Sequence, residues 1–154
     1  MRVRPARADD VPALAAIAEA AYGEAFAGIL EPETLAGYDR AFFEGRFAAG
    51  LASLTVAEAG GTVTGFAKTT AGHLDMLFVA PGLQGTGAGS ALLADAEARG
   101  VGTLDCFRDN LPARRFYERR GWRLARSYER EFAGRSRAFV FYEKGRPTPS
   151  RAEA

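Results

Sequence analysis

Residues 77–90 constrain this chain more than any other stretch. They read Leu77-Phe78-Val79-Ala80-Pro81-Gly82-Leu83-Gln84-Gly85-Thr86-Gly87-Ala88-Gly89-Ser90. An apolar strand ends at Pro81, a glycine-rich turn follows, and a helical pattern begins near Ala88. Glycines let the main chain approach a ligand closely and aim several N–H groups at one point. The helix behind the turn adds its unpaired first-turn donors and a partial charge of about half a proton. Strand, turn and helix in this order predict a site for a phosphate-bearing ligand.

The glycine spacing narrows the ligand. A Walker-type loop ends in Lys followed by Ser or Thr, and here Gly89-Ser90 stands without the Lys. A dinucleotide fingerprint requires G-x-G-x-x-G; Gly85, Gly87 and Gly89 are spaced differently, although Asp105 does lie about 20 residues on. The pattern that fits is Gln-x-x-Gly-x-Gly, met by Gln84, Gly87 and Gly89. Alone, such a turn could equally be a surface feature that binds nothing. It is followed by Asn110-Leu111-Pro112-Ala113-Arg114-Arg115-Phe116-Tyr117-Glu118-Arg119-Arg120-Gly121-Trp122. The interval between the two segments fits one helix, one strand and a return into a further helix. Together, in this order and at this distance, they resemble the two signatures of the GNAT superfamily, the acyl-CoA-dependent N-acetyltransferases. Val3-Arg4-Pro5-Ala6, Asp9-Asp10-Val11-Pro12 and Thr62 to Ala67 are similar to the opening strand, first helix and third strand of that family.

Periodicity gives a compatible order of elements. A short strand spans 2–5, and Asp9 caps a helix with Pro12 in its first turn and Leu14, Ile17, Ala18 and Ala21 on one face. A second helix is expected over Glu33 to Ala49. Strands at Leu54–Ala57 and Val63–Thr69 form a hairpin around Gly60-Gly61, and a third follows at Leu74–Val79. A helix over Ala88–Arg99 ends at Gly100. Then come a strand at Val101–Phe107, a helix over Leu111–Arg120, and a hairpin of Arg123–Phe132 with Arg135–Tyr142. This order indicates an α/β domain with one mixed sheet. The resemblance implies a single domain over 2–144, with a mostly antiparallel sheet of six to seven strands, a splayed central strand pair and about four helices. Residues 145–154 hold two prolines and no large apolar side chain, which predicts a disordered tail.

Bulk composition excludes several classes. The chain has 154 residues, 47% of them hydrophobic and 25% charged, with a net charge of +1. That suits one ordinary globular domain with no bulk attraction to nucleic acid or membrane. No run of about 18 apolar residues is present, and the first residues lack the apolar core of a signal peptide. A single cysteine, Cys106, suits a reducing cytoplasm, and one Cys with one His supplies no zinc site, so no metal is expected.

The resemblance implies acetyl-CoA as co-substrate, lying between the strands at 74–79 and 101–107. The main chain of Leu77, Phe78 and Val79 would pair with its pantetheine amides, as an added strand pairs with a sheet edge. The N–H groups of Gly85, Thr86, Gly87, Ala88, Gly89 and Ser90 would hold the pyrophosphate, with Gln84 beginning the turn. Asn110 would contact the cofactor, although a helix N-cap is a compatible role for it. Tyr117, about two turns on, would be the general acid that protonates the departing CoA thiolate, although a core tyrosine would fit the pattern too. Its reference pKa near ~10 against a thiol near ~8.5 makes that transfer uphill by about 2 kcal/mol.

The incoming amine also has to lose a proton. For a lysine-like amine of pKa ~10.4 the neutral form costs about 4.6 kcal/mol at pH 7, and for an α-amine about 1 kcal/mol. Asp75 and His73 are candidate bases, and strand alternation predicts that they share a face with Leu77 and Val79. Asp75 would need burial to raise its pKa; His73 would not. Asp105 is a third candidate. Arg108, Arg114, Arg115, Arg119 and Arg120 read as a solvated face rather than a nucleic-acid site. The expected reaction is transfer of an acetyl group to a primary amine by direct attack. A non-catalytic acyl-CoA-binding module of the same fold is the alternative. The acceptor, a small molecule or a peptide, is open, with the 22–31 loop and the closing hairpin expected to wall its pocket. Whether the chain forms a homodimer is open too.

Overall fold

The computed structural model describes residues 1–144, so the expected tail lies outside the described residues. Among the described residues, seven strands and five α-helices make an α/β fold. They fall into two compact units, residues 1–102 and the residues from Thr103 onward.

The first unit opens with β1 (Arg2–Pro5) and a single 3-10 turn (Ala8–Asp10), then α1 (Val11–Ala25). Asp10, not Asp9, organises this entry. Its carboxylate accepts from the Arg7 N–H at 2.7 Å and from the two terminal guanidinium nitrogens of Arg4 at 2.9 and 3.0 Å. The expected helix over 33–49 is two helices, α2 (Pro32–Gly37) and α3 (Arg40–Ala49). Asp39 interrupts it by capping α3, its Oδ1 accepting from the Phe42 N–H at 2.9 Å. This division raises the helix number above the expected four.

Strands β2 (Leu54–Ala59), β3 (Thr62–Thr70) and β4 (His73–Val79) follow, and the unit's strand order is β1-β2-β3-β4, antiparallel throughout. One face carries the main core. Leu14, Ile17 and Ala18 of α1 and Phe43 and Phe47 of α3 pack on Leu54, Val56 and Phe66, with Met76 and Phe78 at the margin. The other face carries α4 (Ala88–Ala98), whose Leu92 and Leu93 are buried. Gly65 permits this contact: a Cβ there would lie 2.8 Å from the Phe78 carbonyl oxygen and 3.3 Å from Leu92 Cδ1.

The second unit contains β5 (Thr103–Phe107), α5 (Leu111–Glu118), β6 (Trp122–Phe132) and β7 (Arg135–Lys144), with strand order β5-β7-β6. β5 begins two residues later than expected. Val101 and Gly102 instead donate their N–H groups to the carbonyls of Ala96 and Gly72. Leu104, Phe107, Tyr117, Trp122, Phe139, Val140 and Tyr142 are buried in this unit. Among the described residues no helix is long and apolar enough to cross a membrane.

Candidate active site

The turn from β4 into α4 is built by its glycines. Gly82, Gly85 and Gly87 have φ of 85°, 84° and 95°, the left-handed region that favours glycine. Short internal bonds fix its course. The Leu83 N–H donates to Ala80 O at 2.9 Å, and the Thr86 hydroxyl donates to Leu83 O at 2.6 Å. Gln84 folds back so that its Oε1 accepts from the Gly82 N–H at 2.9 Å. Gln84 therefore acts here through its side chain as a brace of the turn.

The N–H groups of Gly85, Gly87, Ala88 and Gly89 donate to no group among the described residues. A Cβ added at Gly82, Gly85 or Gly87 would meet nothing within 4 Å. Unspent donors, open space and the start of an eleven-residue helix coincide. This is the donor set that an anionic diphosphate requires.

The register of β4 corrects one expectation. Thr69 pairs with Leu74 and Lys68 with Met76, so Asp75 is an extra residue in a bulge. Leu77 and Val79 lie opposite Ala67 and Gly65, on the α4 face. His73, Met76 and Phe78 lie opposite Thr70, Lys68 and Phe66, on the α1–α3 face. Asp75 belongs with the latter group, because its carboxylate accepts from the Thr70 hydroxyl at 2.6 Å and from Lys68 Nζ at 3.5 Å. The two candidate bases thus face away from the side chains of Leu77 and Val79, and Asp75 is exposed rather than buried. His73 is half-buried beside the Ala71-Gly72 turn, at the end of β4 remote from the glycine turn.

In the second unit, Asn110 caps α5, its Oδ1 accepting from the Ala113 N–H at 3.4 Å. Tyr117 is 8% exposed, with the rings of Phe116, Trp122 and Tyr142 centred 5.3, 6.2 and 6.4 Å away. Burial, and secondarily Cys106, push its phenol well above the ordinary tyrosine range. Its hydroxyl bonds no group among the described residues. Half-buried Cys106 is itself pushed up to about 12, mainly by burial, which makes it an unreactive thiol.

Asp105, the third candidate base, is engaged as an acceptor: the Tyr128 hydroxyl donates to its carboxylate in a short hydrogen bond. Burial and then this bond push Tyr128 up to about 12. Three of the five arginines in the basic run are engaged, Arg108 by donating from Nε to Asp109 Oδ1 at 3.2 Å. Arg114 donates to the Tyr142 hydroxyl at 2.9 Å and to Arg108 O at 3.0 Å. Arg120 stacks on Phe116 at 3.8 Å. Among the described residues no group of three or more His, Cys, Asp or Glu could hold a metal ion.

Sequence reasoning did not find the bulge, the Thr70–Asp75–Lys68 cluster or the Tyr128–Asp105 bond. Lys68 and Thr70 are ordinary strand residues in sequence, and only the hairpin register brings them to Asp75.

The family model described as an acetyltransferase (GNAT) domain matches residues 18–144. A solved GCN5-related N-acetyltransferase from Rhodopseudomonas palustris is 27% identical, with a TM-score of 0.73 over 93% of this chain and 94% of that one. The ribosomal-protein-alanine N-acetyltransferase of Brucella melitensis is 25% identical, with a TM-score of 0.64 over 94% and 99% of the two chains. The PaiA N-acetyltransferase of Thermoplasma acidophilum, solved with coenzyme A, is 18% identical and shares the fold, with a TM-score of 0.73 over 94% and 98% of the chains. No curated protein sequence matches the chain.

Proposed function

From the premise that this chain belongs to the GNAT acetyltransferase family, we propose that it transfers the acetyl group of acetyl-CoA to a primary amine by direct attack. The observation that carries this reading is the glycine turn, where four unspent N–H groups at Gly85, Gly87, Ala88 and Gly89 adjoin the open space beside Gly85 and Gly87. In this reading those donors, with Thr86 and Ser90, hold the pyrophosphate. The main chain of Leu77, Phe78 and Val79 pairs with the pantetheine amides. Asn110, whose side chain already caps α5, adds a cofactor contact.

The amine nitrogen attacks the thioester carbonyl, a C–N bond forms, the C–S bond breaks, and the thiolate leaves. Tyr117 supplies the proton that the thiolate takes. Its raised pKa keeps the phenol protonated and makes the transfer steeper than for a solvated tyrosine. A thiolate desolvated to the same degree would have its own proton affinity raised, which offsets the difference. The amine's proton goes to water, or through water to Asp75 or His73. The unreactive thiol of Cys106 speaks against an acyl-enzyme intermediate. A single such thiol also suits a cytoplasmic setting.

The test is release of free thiol from acetyl-CoA in the presence of a panel of primary amines. Amine-dependent release is the expected result. Tight binding of acetyl-CoA without turnover on any amine would leave the chain a non-catalytic acyl-CoA-binding module. Loss of Asp75 or His73 should lower kcat/KM by about 10²–10⁴ if that residue is the base, with the deficit shrinking as pH approaches the pKa of the amine.

A further inference from the structure

An aromatic wall stands on the α1–α3 face of β4, beside the bulge. Tyr22 of α1 is its hub, with the rings of Phe26, Phe43, Tyr38 and Phe78 centred 4.8, 4.9, 5.2 and 5.5 Å away. Phe43 and Phe26 are buried and back the wall, whereas Tyr22, Tyr38, Met76 and Phe78 are only half-buried. Core packing alone accounts for the first pair and not for four large side chains left half open on one face of the strand.

This face is also where an acceptor would stand in the proposed reaction. If the diphosphate sits at the turn after Val79, the pantetheine arm runs back along β4. The strand from Ala80 to Asp75 is about 17 Å long, so the thioester end falls near Asp75 and Met76. One face of β4 there is closed by α4, through Leu92 over Gly65. The other face carries the aromatic wall.

Two further observations define what the wall would accept. The Tyr22 hydroxyl has no hydrogen-bond partner among the described residues, although burial raises its phenol to about 12. The hydroxyl is not among the fully buried atoms that lack a partner, so it stays open to a ligand or to water at this face. Four carboxylates on the elements around the wall are already engaged by hydrogen bonds. Asp75 is engaged by Lys68 and Thr70, Glu31 accepts from the Thr34 hydroxyl, Glu19 from the Arg40 N–H and Asp39 from the Phe42 N–H. Arg46 lies over the Phe42 ring at 5.9 Å and adds positive charge.

We propose that the acceptor is an amine carried on an aromatic body, seated against Tyr22, Tyr38, Met76 and Phe78, with a polar substituent of that body bonded to the Tyr22 hydroxyl. This deepens the acetyltransferase reading and rests on it. The test compares tyramine, 2-phenylethylamine, n-propylamine and spermidine as acceptors, by thiol release at fixed acetyl-CoA. Both aromatic amines should exceed n-propylamine and spermidine in kcat/KM by about tenfold or more, the scale of one buried ring contact. Tyr22→Phe should raise KM for tyramine by about tenfold, the loss of one hydrogen bond. It should leave 2-phenylethylamine within about twofold and KM for acetyl-CoA unchanged.

Preference for spermidine or n-propylamine would overturn the proposal while leaving the acetyltransferase reading intact. So would a Tyr22→Phe loss that is equal for both aromatic amines. Should no amine release thiol, the acetyltransferase reading fails. Thermal shifts with the same amines in the presence of CoA then still decide the wall: stabilisation by tyramine that Tyr22→Phe abolishes supports it, and none overturns it.

Discussion

At the scale of single residues, two side chains have consequences that can be measured separately. Arg4 and Asp10 form a paired, 7% exposed cluster, with Glu58 3.3 Å from the same guanidinium. The Arg4 hydrogen bond first, and then the Arg7 N–H, hold the Asp10 carboxyl below its ordinary range. A depressed carboxyl contributes stability that is complete above its unfolded pKa, near ~3.9, and lost as pH falls through the folded value. Asp10→Asn should therefore cost about 3–5 kcal/mol at pH 7, since it leaves Arg4 buried and short of its main partner. In urea titrations the gap between wild type and variant should narrow below about pH 3.9; parallel curves down to pH 2.5 would deny the pair its role. Tyr117 makes the opposite kind of prediction. Its hydroxyl bonds nothing among the described residues, so Tyr117→Phe should fold with unchanged or slightly higher stability. KM for acetyl-CoA should change little, whereas kcat should fall by one to three powers of ten, about 1.4–4 kcal/mol of barrier. Steady-state kinetics with an accepted amine decide it, and an unaltered kcat would return Tyr117 to a packing role.

At the scale of elements, legibility followed the strength of the local signal. The strand–turn–helix at 77–90 was readable because Gly82, Gly85 and Gly87 sit where φ is positive, a backbone conformation that a side chain strains. Asn110 was readable as a cap, and the closing hairpin followed from Ala133-Gly134, both at positive φ. The break between α2 and α3 was not read, because Tyr38 continues the apolar pattern across it and hides the cap at Asp39. The bulge at Asp75 left no mark in the sequence. It arises from how Lys68 and Thr69 pair with Met76 and Leu74, a long-range register that alternation cannot foresee. One inserted residue moved His73 and Asp75 to the face opposite Leu77 and Val79. Gly65 is likewise silent in sequence, though β3 and α4 meet over it. Gly65→Ala should destabilise the fold by about 1–3 kcal/mol, because its Cβ would sit 2.8 Å from a backbone oxygen that cannot move freely. Chemical denaturation of the purified variant measures this, and a loss below about 0.5 kcal/mol would mean that β3 and α4 part more easily than their packing implies.

At the scale of the whole molecule, the family was legible because two signatures stood in order at a fixed interval, whereas neither composition nor the net charge of +1 pointed to any ligand. The proposed acceptor wall was legible only in part: Tyr22 and Phe26 lie in the 22–31 segment expected to line the pocket, whereas Tyr38, Met76 and Phe78 come from elements far apart in sequence. Binding of the acyl donor should be visible in global stability. A ligand that binds only the native state stabilises it by RT ln(1 + [L]/Kd), about 2.7 kcal/mol at a hundred times Kd. Acetyl-CoA and CoA should each raise Tm accordingly, while NAD and ATP, whose loops require other glycine spacings, should do so far less. Gly87→Val separates the fold from the site. At φ of 95° a branched residue is strained by about 1–3 kcal/mol, so the variant's own Tm should drop. Its side chain would occupy space in which nothing lies within 4 Å, so the shift with acetyl-CoA should vanish as well. A variant that is destabilised yet keeps the full ligand-induced shift would show that the glycine turn is a turn only, and the diphosphate site would have to be sought elsewhere in the chain.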